Sequence, residues 1–331
     1  MRIVVELPTW LGDSVMATPT LQNLVNIYPN SEIILVGSRV AVEITANYPN
    51  VTETYIISRK GNRFLELFSI AKEILRNGKV DISISLRTSI YSGILQYLTK
   101  ATIRVAISKL SNRIFLTTPI TPRNYSHQVE KYLQLLSWNS HKIEPYELKL
   151  YFQPKKFNKP TLGINSGATY GSAKRWSPKK FAEVAIKLSK QFDIVLFGGP
   201  DEVEIVGEIA DYLQKEGITN FQNLAGKTSI QELAEYIGGL NLFITNDSGP
   251  MHIAGAYKIP TVAIFGSTNH KETNQWKNSK QVIIRKNLEC SPCMKRECPL
   301  KHHKCMEDIS VQDVLNGIEL LTNLNYGSSS Y

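Results

Sequence analysis

The sequence predicts an α/β fold of two Rossmann-like, doubly wound domains facing a central cleft. Three observations predict it. Short β-branched runs alternate with amphipathic stretches, the alternation breaks once near residue 150 and restarts, and 331 residues are about twice an ordinary domain of ~150. A hydrophobic content of 42% is enough for two cores.

The first strand is predicted over 3–7, followed by a helical pattern over 14–28, a strand over 32–36 and a helix over 41–47. A strand over 54–57, a helix over 64–77, a strand over 80–86 and a helix over 89–98 continue the rhythm. The apolar runs are continuous, as expected of parallel strands buried on both faces. Residues 148–160, LKLYFQPKKFNKP, hold two prolines and four lysines without a clear period, the composition of an exposed linker. The expected organisation is therefore a first domain over 1–150, a linker over 151–160 and a second domain over 161–331. In the second, strands are predicted over 161–165, 194–198, 242–245 and 261–265, and helices over 178–192, 202–216, 230–238 and 251–257. The final GSSSY reads as a frayed tail.

Composition narrows the function classes. Lysine and arginine outnumber aspartate and glutamate by 38 to 29, a net charge of +9 that favours an anionic partner. No zinc-finger spacing, aromatic-glycine RNA-binding signature or basic helix stands out, so no nucleic acid partner is expected; a phosphorylated substrate or an anionic membrane surface fits better. The opening MRIVVEL is a strand and not a signal peptide, and no run of 18 apolar residues occurs, so a cytoplasmic, surface-bound protein is expected. Neither GxGxxG nor a Walker loop is present; Gly198-Gly199-Pro200 is the nearest approach, and no nucleotide cofactor is expected.

Ligands of open α/β sheets lie beyond the carboxyl ends of the strands, which directs attention to the turns. After the strand at 242–245 come Asp247, Ser248 and Gly249, opening a small-residue helix whose unpaired N–H groups suit a phosphate, with His252 one turn in. Lys174 and Arg175 precede another helix mouth, where a pyrophosphate finds cations. Glu202 follows a strand at the position where a carboxylate accepts ribose hydroxyls. Together these describe a nucleotide diphosphate pocket. Each also has a plainer reading: Asp247 or Ser248 as a helix cap, His252 as a satisfied interior histidine, Lys174 and Arg175 as solvated cations. In the first half, Asp13 stands on a glycine-containing turn after the first strand, either as an N-cap or as a general base for an acceptor hydroxyl. No DxD motif sits at a strand end, and Lys174 with helix N–H groups can neutralise a leaving diphosphate, so metal-independent transfer is expected. Arg59, Lys60, Arg63 and Arg87 form a basic group in the first half suited to an anionic partner, or a solvated basic face.

The four cysteines fall within 16 residues as Cys290-x2-Cys293-x4-Cys298-x6-Cys305. Reduced thiols packing a loop, a structural zinc site and disulfides all remain open at this point.

The segments WLGDSVMATPTL, AKRW at 173–176, GGPDE at 198–202, NDSGPMHIAGA and CSPCMKRECPLKHHKC resemble the ADP-heptose:lipopolysaccharide heptosyltransferases of glycosyltransferase family 9, most of all its heptosyltransferase II members. The resemblance covers nearly the whole chain. It implies the type B glycosyltransferase fold and inverting transfer of heptose from an ADP-L-glycero-D-manno-heptose donor to a heptosyl-Kdo-lipid A acceptor, on the cytoplasmic face of the inner membrane. It implies Asp13 as base and Lys174 as phosphate ligand, with Glu202, Asp247, Ser248, Gly249 and His252 around the donor. Ser166, Thr169 and Thr228 complete the implied donor set. Another nucleotide sugar on the same scaffold, or a non-catalytic nucleotide-sugar sensor, are the alternatives.

Overall fold

The computed structural model describes residues 1–58 and 61–326, with side chains as far as Leu321. Arg59, Lys60 and the GSSSY tail lie outside the described residues. The chain divides into two compact units, Met1–Tyr151 and Phe152–Tyr331.

In the first unit the order is β1 (Arg2–Glu6), α1 (Leu11–Met16), α2 (Thr18–Ile27), β2 (Glu32–Gly37), α3 (Arg39–Thr45), β3 (Val51–Ile56), α4 (Arg63–Arg76), β4 (Ile82–Ser85), α5 (Ile90–Leu98), β5 (Ile103–Ile107), β6 (Thr118–Ile120) and α6 (Gln128–Leu133). Six parallel strands lie in the order β3-β2-β1-β4-β5-β6. The helical pattern expected over 14–28 is two helices. Pro19 lacks the N–H that an uninterrupted helix would use and sits in the first turn of α2, where that donor is not needed.

The second unit runs β7 (Thr161–Asn165), α7 (Pro178–Leu188), β8 (Asp193–Phe197), α8 (Val203–Lys215), β9 (Phe221–Asn223), α9 (Ile230–Gly238), β10 (Leu242–Asn246), α10 (Gly249–Ala256), β11 (Thr261–Ile264), α11 (His270–Thr273), β12 (Gln281–Ile284), α12 (Lys304–Glu307) and α13 (Val311–Tyr326). Its strands are again all parallel, in the order β12-β11-β10-β7-β8-β9. Counted within its own unit, each sheet has the strand order 3-2-1-4-5-6, the doubly wound pattern. The order reverses between β1 and β4 in one unit and between β7 and β10 in the other, so each unit opens a crevice there, beyond its strand ends.

β1 and β7 are buried along their whole length, which is why their central residues, Ile3-Val4-Val5 and Leu162-Gly163-Ile164, carry no polar side chain. In the second unit Trp176 is fully buried, edge-on to Phe181 at 4.9 Å, and its indole N–H donates to Ile309 O at 3.0 Å. A side chain buried to that degree contributes about 1.5–3 kcal/mol, and the satisfied N–H removes the polar cost. Trp176 thereby fixes the chain directly after Lys174. The stretch around residue 155 is largely exposed, yet Lys155 N donates to Glu235 O at 2.8 Å and its ammonium lies 3.7 Å from the centre of the Tyr236 ring, tying it to α9. No helix among the described residues is long and apolar enough to cross a membrane.

Candidate active site

In the first unit, Asp13 is the third residue of α1 and not its N-cap, a position held by Trp10 with no side-chain hydrogen bond. Its Oδ1 accepts from the Tyr132 hydroxyl at 2.9 Å. Tyr132 sits on α6, whose start is fixed by a capping box: His127 Nδ1 accepts from Val129 N, and Glu130 reaches back to the His127 N–H. Burial, and then the Asp13 charge, push the Tyr132 phenol well above its ordinary value, so it remains a donor and orients the carboxylate. Nothing near Asp13 in the sequence points to Tyr132, which lies 119 residues away.

The same crevice holds an acid that sequence reasoning missed. Glu6 ends β1 at 3% exposure; its Oε2 accepts from Ser85 Oγ at 2.6 Å, and its Oε1 from Ser92 Oγ at 3.0 Å. Arg87 Nη1 lies 3.6 Å from Oε1. Burial raises the Glu6 carboxyl above its usual range, and Arg87 opposes that rise. Arg87 is thus held by a buried carboxylate, while Arg63 stacks its guanidinium 3.9 Å from the centre of the Tyr91 ring. An acid directly after the apolar run Ile3-Val4-Val5 is the sequence signal for Glu6.

In the second unit, Lys174 Nζ lies 2.6 Å from Asp247 Oδ2 and 3.3 Å from Asp247 O. Both side chains are nearly buried, at 12% and 4% exposure, and Thr268 donates its hydroxyl to the same Oδ2 at 2.6 Å. Two asparagines tie β7 to β10 across the switch point. Asn165 Nδ2 donates to Ser248 Oγ at 3.1 Å, and Asn246 Nδ2 donates to Ser166 O at 2.7 Å. Asn246 Oδ1 also accepts from Trp176 N at 3.2 Å, so the strand end grips the segment that carries Lys174.

Ser248 occupies the N-cap position of α10, but its hydroxyl is turned to Asn165 and Thr245 and makes no cap hydrogen bond. The Gly249 N–H is therefore not closed off by a side-chain cap, whereas Pro250 has no N–H and Met251 N donates to Ser248 O at 3.2 Å. His252 is buried on this helix at 3% exposure. Ser166 is fully buried, and its Oγ has no hydrogen-bond partner among the described residues.

Glu202 is 7% exposed, and its Oε2 accepts from Gly199 N at 2.8 Å. Gly167, next to Ser166, packs directly on that carboxylate, and a Cβ there would collide with it. Glu202 thereby joins the crevice. Thr169 is exposed on the turn after β7 and Thr228 is half-buried before α9; among the described residues neither joins this hydrogen-bonded set. Asn165, Asn246 and Thr268 were not legible as site residues, since only the fold sets Thr268 on the Asp247 carboxylate and the two asparagines on Ser248, Ser166 and Trp176.

The cysteine-rich segment braces these turns. Met294 N donates to Ser267 O at 2.8 Å, Ser291 Oγ to Gly266 O at 2.7 Å, Tyr170 OH to Met294 O at 2.9 Å and Ala173 N to Arg296 O at 3.0 Å. Gly171 is required where the Arg296 carbonyl approaches, because any Cβ would meet it. All four cysteines are free thiols, and no group of three or more His, Cys, Asp or Glu among the described residues is placed to hold a metal. Burial, then the neighbouring Cys293, Cys298 and Cys290, push the Cys305 thiol up to about 11. At pH 8 such a thiol holds ~0.1% thiolate against about 10% for one near its ordinary value, so iodoacetamide should alkylate Cys305 about a hundredfold more slowly than an ordinary thiol. Peptide mapping of a labelling time course checks this; early labelling of Cys305 would contradict it.

The model of "Glycosyltransferase family 9 (heptosyltransferase)" matches residues 68–304. Lipooligosaccharide heptosyltransferase 2 of Campylobacter jejuni serotype O:6 is 40% identical over 332 residues, spanning 97% of this chain and 99% of the relative. Among solved structures, the family 9 glycosyl transferase of Veillonella parvula superposes with a TM-score of 0.83 at 25% identity, covering 97% of this chain and 96% of that one. The ADP-heptose LPS heptosyltransferase II of E. coli superposes at 0.82 with 23% identity, over 98% and 100% of the two chains, a likeness of fold.

Proposed function

The chain belongs to glycosyltransferase family 9, the heptosyltransferases, and from that premise we propose that it moves heptose from ADP-L-glycero-D-manno-heptose to the heptosyl-Kdo-lipid A inner core, with inversion, as a heptosyltransferase II. The observation that carries the reading is the Lys174–Asp247 pair at the β7/β10 switch point, beside the N-terminus of α10, which has no side-chain cap. In this reading the donor's diphosphate takes Lys174 and the helix N–H groups at Ser248 and Gly249, Glu202 takes the ribose hydroxyls, and Ser166, Thr169, Thr228 and His252 line the rest of the donor. Asp13, oriented by Tyr132, removes the proton of the acceptor hydroxyl while that oxygen bonds to the anomeric carbon. The bond from that carbon to the diphosphate oxygen breaks with its electron pair, and ADP leaves. One displacement and one base give inversion, with no sugar held covalently on the protein.

Lys174 supplies the charge that many transferases draw from a metal ion, and the transfer is proposed to be metal-independent. Arg63, with Arg59 and Lys60 just before it in sequence, and Arg87 are proposed to meet the acceptor's carboxylates and phosphates. With a lipid acceptor, the protein is proposed to work at the cytoplasmic face of the inner membrane.

A donor-resolved transfer assay on truncated core acceptors tests the reading. Turnover is expected with ADP-heptose and a monoheptosylated Kdo acceptor, unchanged by chelator. Turnover only with another donor sugar would overturn the assignment; loss with chelator and recovery with magnesium would overturn the metal-independent step.

A further inference from the structure

We propose that the outer face formed by α4, α5 and the turn at 109–115 in the first unit docks on an anionic lipid bilayer. α4 buries Leu67, Ile70, Ala71 and Ile74 against the sheet. Its other side presents Leu65 and Phe68 at 67% and 57% exposure, and Lys72 and Arg76 follow at the spacing of successive turns. On α5, Tyr97 is 59% exposed and lies edge-on to Phe115 at 6.2 Å, which joins the turn to the helix.

The turn carries the outermost apolar groups of the face, Leu110 at 99% and Ile114 at 83% exposure. Neither is free to fold inward. Asn112 is buried between them, its Oδ1 accepting from Lys109 N at 2.8 Å and its Nδ2 donating to Ile107 O at 3.0 Å. A loop anchored by its polar residue while its aliphatic residues face outward is poorly suited to water and well suited to an acyl boundary.

Charge selects the occupant. Between α4 and α5 runs an apolar groove of ≈ 690 Å³ whose lining includes the cations Lys72, Arg76, Lys100 and Arg104. Lys109 and Arg113 flank Leu110 and Ile114 in sequence and are exposed. The acids of α4 are Glu66, whose carboxylate accepts from Ser58, and Glu73; α5 and the turn carry none. A cationic face with projecting aliphatic and aromatic groups complements anionic headgroups over a hydrocarbon layer. A second copy would bring like charges together, and the most exposed groups of the face, Leu110 and Ile114, are aliphatic and suit acyl chains rather than the stacking of nucleic acid bases.

This deepens the membrane partner of the preceding reading and rests on it only for the lipid nature of the acceptor. Vesicle binding is read without donor or acceptor, so the two fail separately. The test is co-sedimentation of the full chain with vesicles containing phosphatidylglycerol and with neutral phosphatidylcholine vesicles. Wild type is expected to pellet with the anionic vesicles and far less with the neutral ones. Leu110→Ser with Ile114→Ser, and separately Lys72→Glu with Arg76→Glu, should each lower partitioning by about tenfold or more. Transfer to a deacylated, water-soluble acceptor should stay at the wild-type rate in both. Undiminished vesicle binding by both variants would overturn the proposal. So would a matching fall in soluble-acceptor transfer, which would put these residues in the acceptor site, or a concentration-dependent dimer abolished by the Ser variants without vesicle binding.

Discussion

Replacing Asp13 by Asn is expected to lower kcat by about 10²–10⁴-fold, the usual contribution of a positioned general base, and to leave ADP affinity at the wild-type level. The substitution is chosen for its small structural effect. An Asn carbonyl oxygen can still accept from the Tyr132 hydroxyl that Asp13 Oδ1 holds at 2.9 Å, and the backbone of α1 is unchanged because Ala17 N bonds to the residue-13 carbonyl. What is lost is the basic oxygen. Tyr132→Phe is the companion: the carboxylate stays but loses its orienting donor, so a smaller loss of kcat with an unchanged ADP Kd is expected. Steady-state kinetics with ADP titration on each variant checks both. Wild-type turnover by the Asp13→Asn enzyme would remove Asp13 from the chemistry.

The second large effect falls on Lys174. Its ammonium is held against Asp247 with both groups nearly buried, so Lys174→Ala removes a diphosphate ligand and also strands a buried carboxylate. Stranding a buried charge costs about 3–5 kcal/mol of stability, and losing one charge-assisted hydrogen bond to the ligand costs about 1.5–3 kcal/mol, or roughly 10–100-fold in ADP affinity. The two consequences separate in a double variant. Lys174→Ala with Asp247→Ala should recover part of the lost thermal stability, because no carboxylate is left uncompensated, but not ADP affinity. Thermal melts and calorimetric titration of the two single variants and the double variant measure this. Full recovery of ADP binding in the double variant would mean that Lys174 serves only as the counter-ion of Asp247.

The fold was largely legible because buried parallel strands write themselves as continuous apolar runs, as at β1, β7 and β10. What escaped includes apolar elements, β5 (IRVAI), β12 (QVII) and the 16-residue α13, as well as two short strands. β6 is three residues with a proline, and β9 is Phe221-Gln222-Asn223, neither long enough to show a period. The candidate residues Asp13, Lys174, Glu202 and Asp247 can be picked out in the sequence because each is an acid or a lysine in the segment that follows a strand. Glu6, Tyr132, Asn165, Asn246 and Thr268 were not legible, since each acquires its meaning from a partner distant in sequence: Tyr132 from Asp13, Thr268 from Asp247, Asn246 from Ser166. The capping role weighed for Ser248 is a similar case. Its backbone is at the cap, but its hydroxyl is spent on Asn165, which only the pairing of β7 with β10 reveals.

The proposed mechanism divides the labour, with chemistry on Asp13 in the first unit and diphosphate recognition on Lys174 in the second. Calorimetric titration of ADP into Asp13→Asn and Lys174→Ala protein, side by side with wild type, tests it most directly. A wild-type isotherm is expected for the first and a Kd weakened at least about tenfold for the second. Weakened binding in Asp13→Asn with intact binding in Lys174→Ala would contradict it.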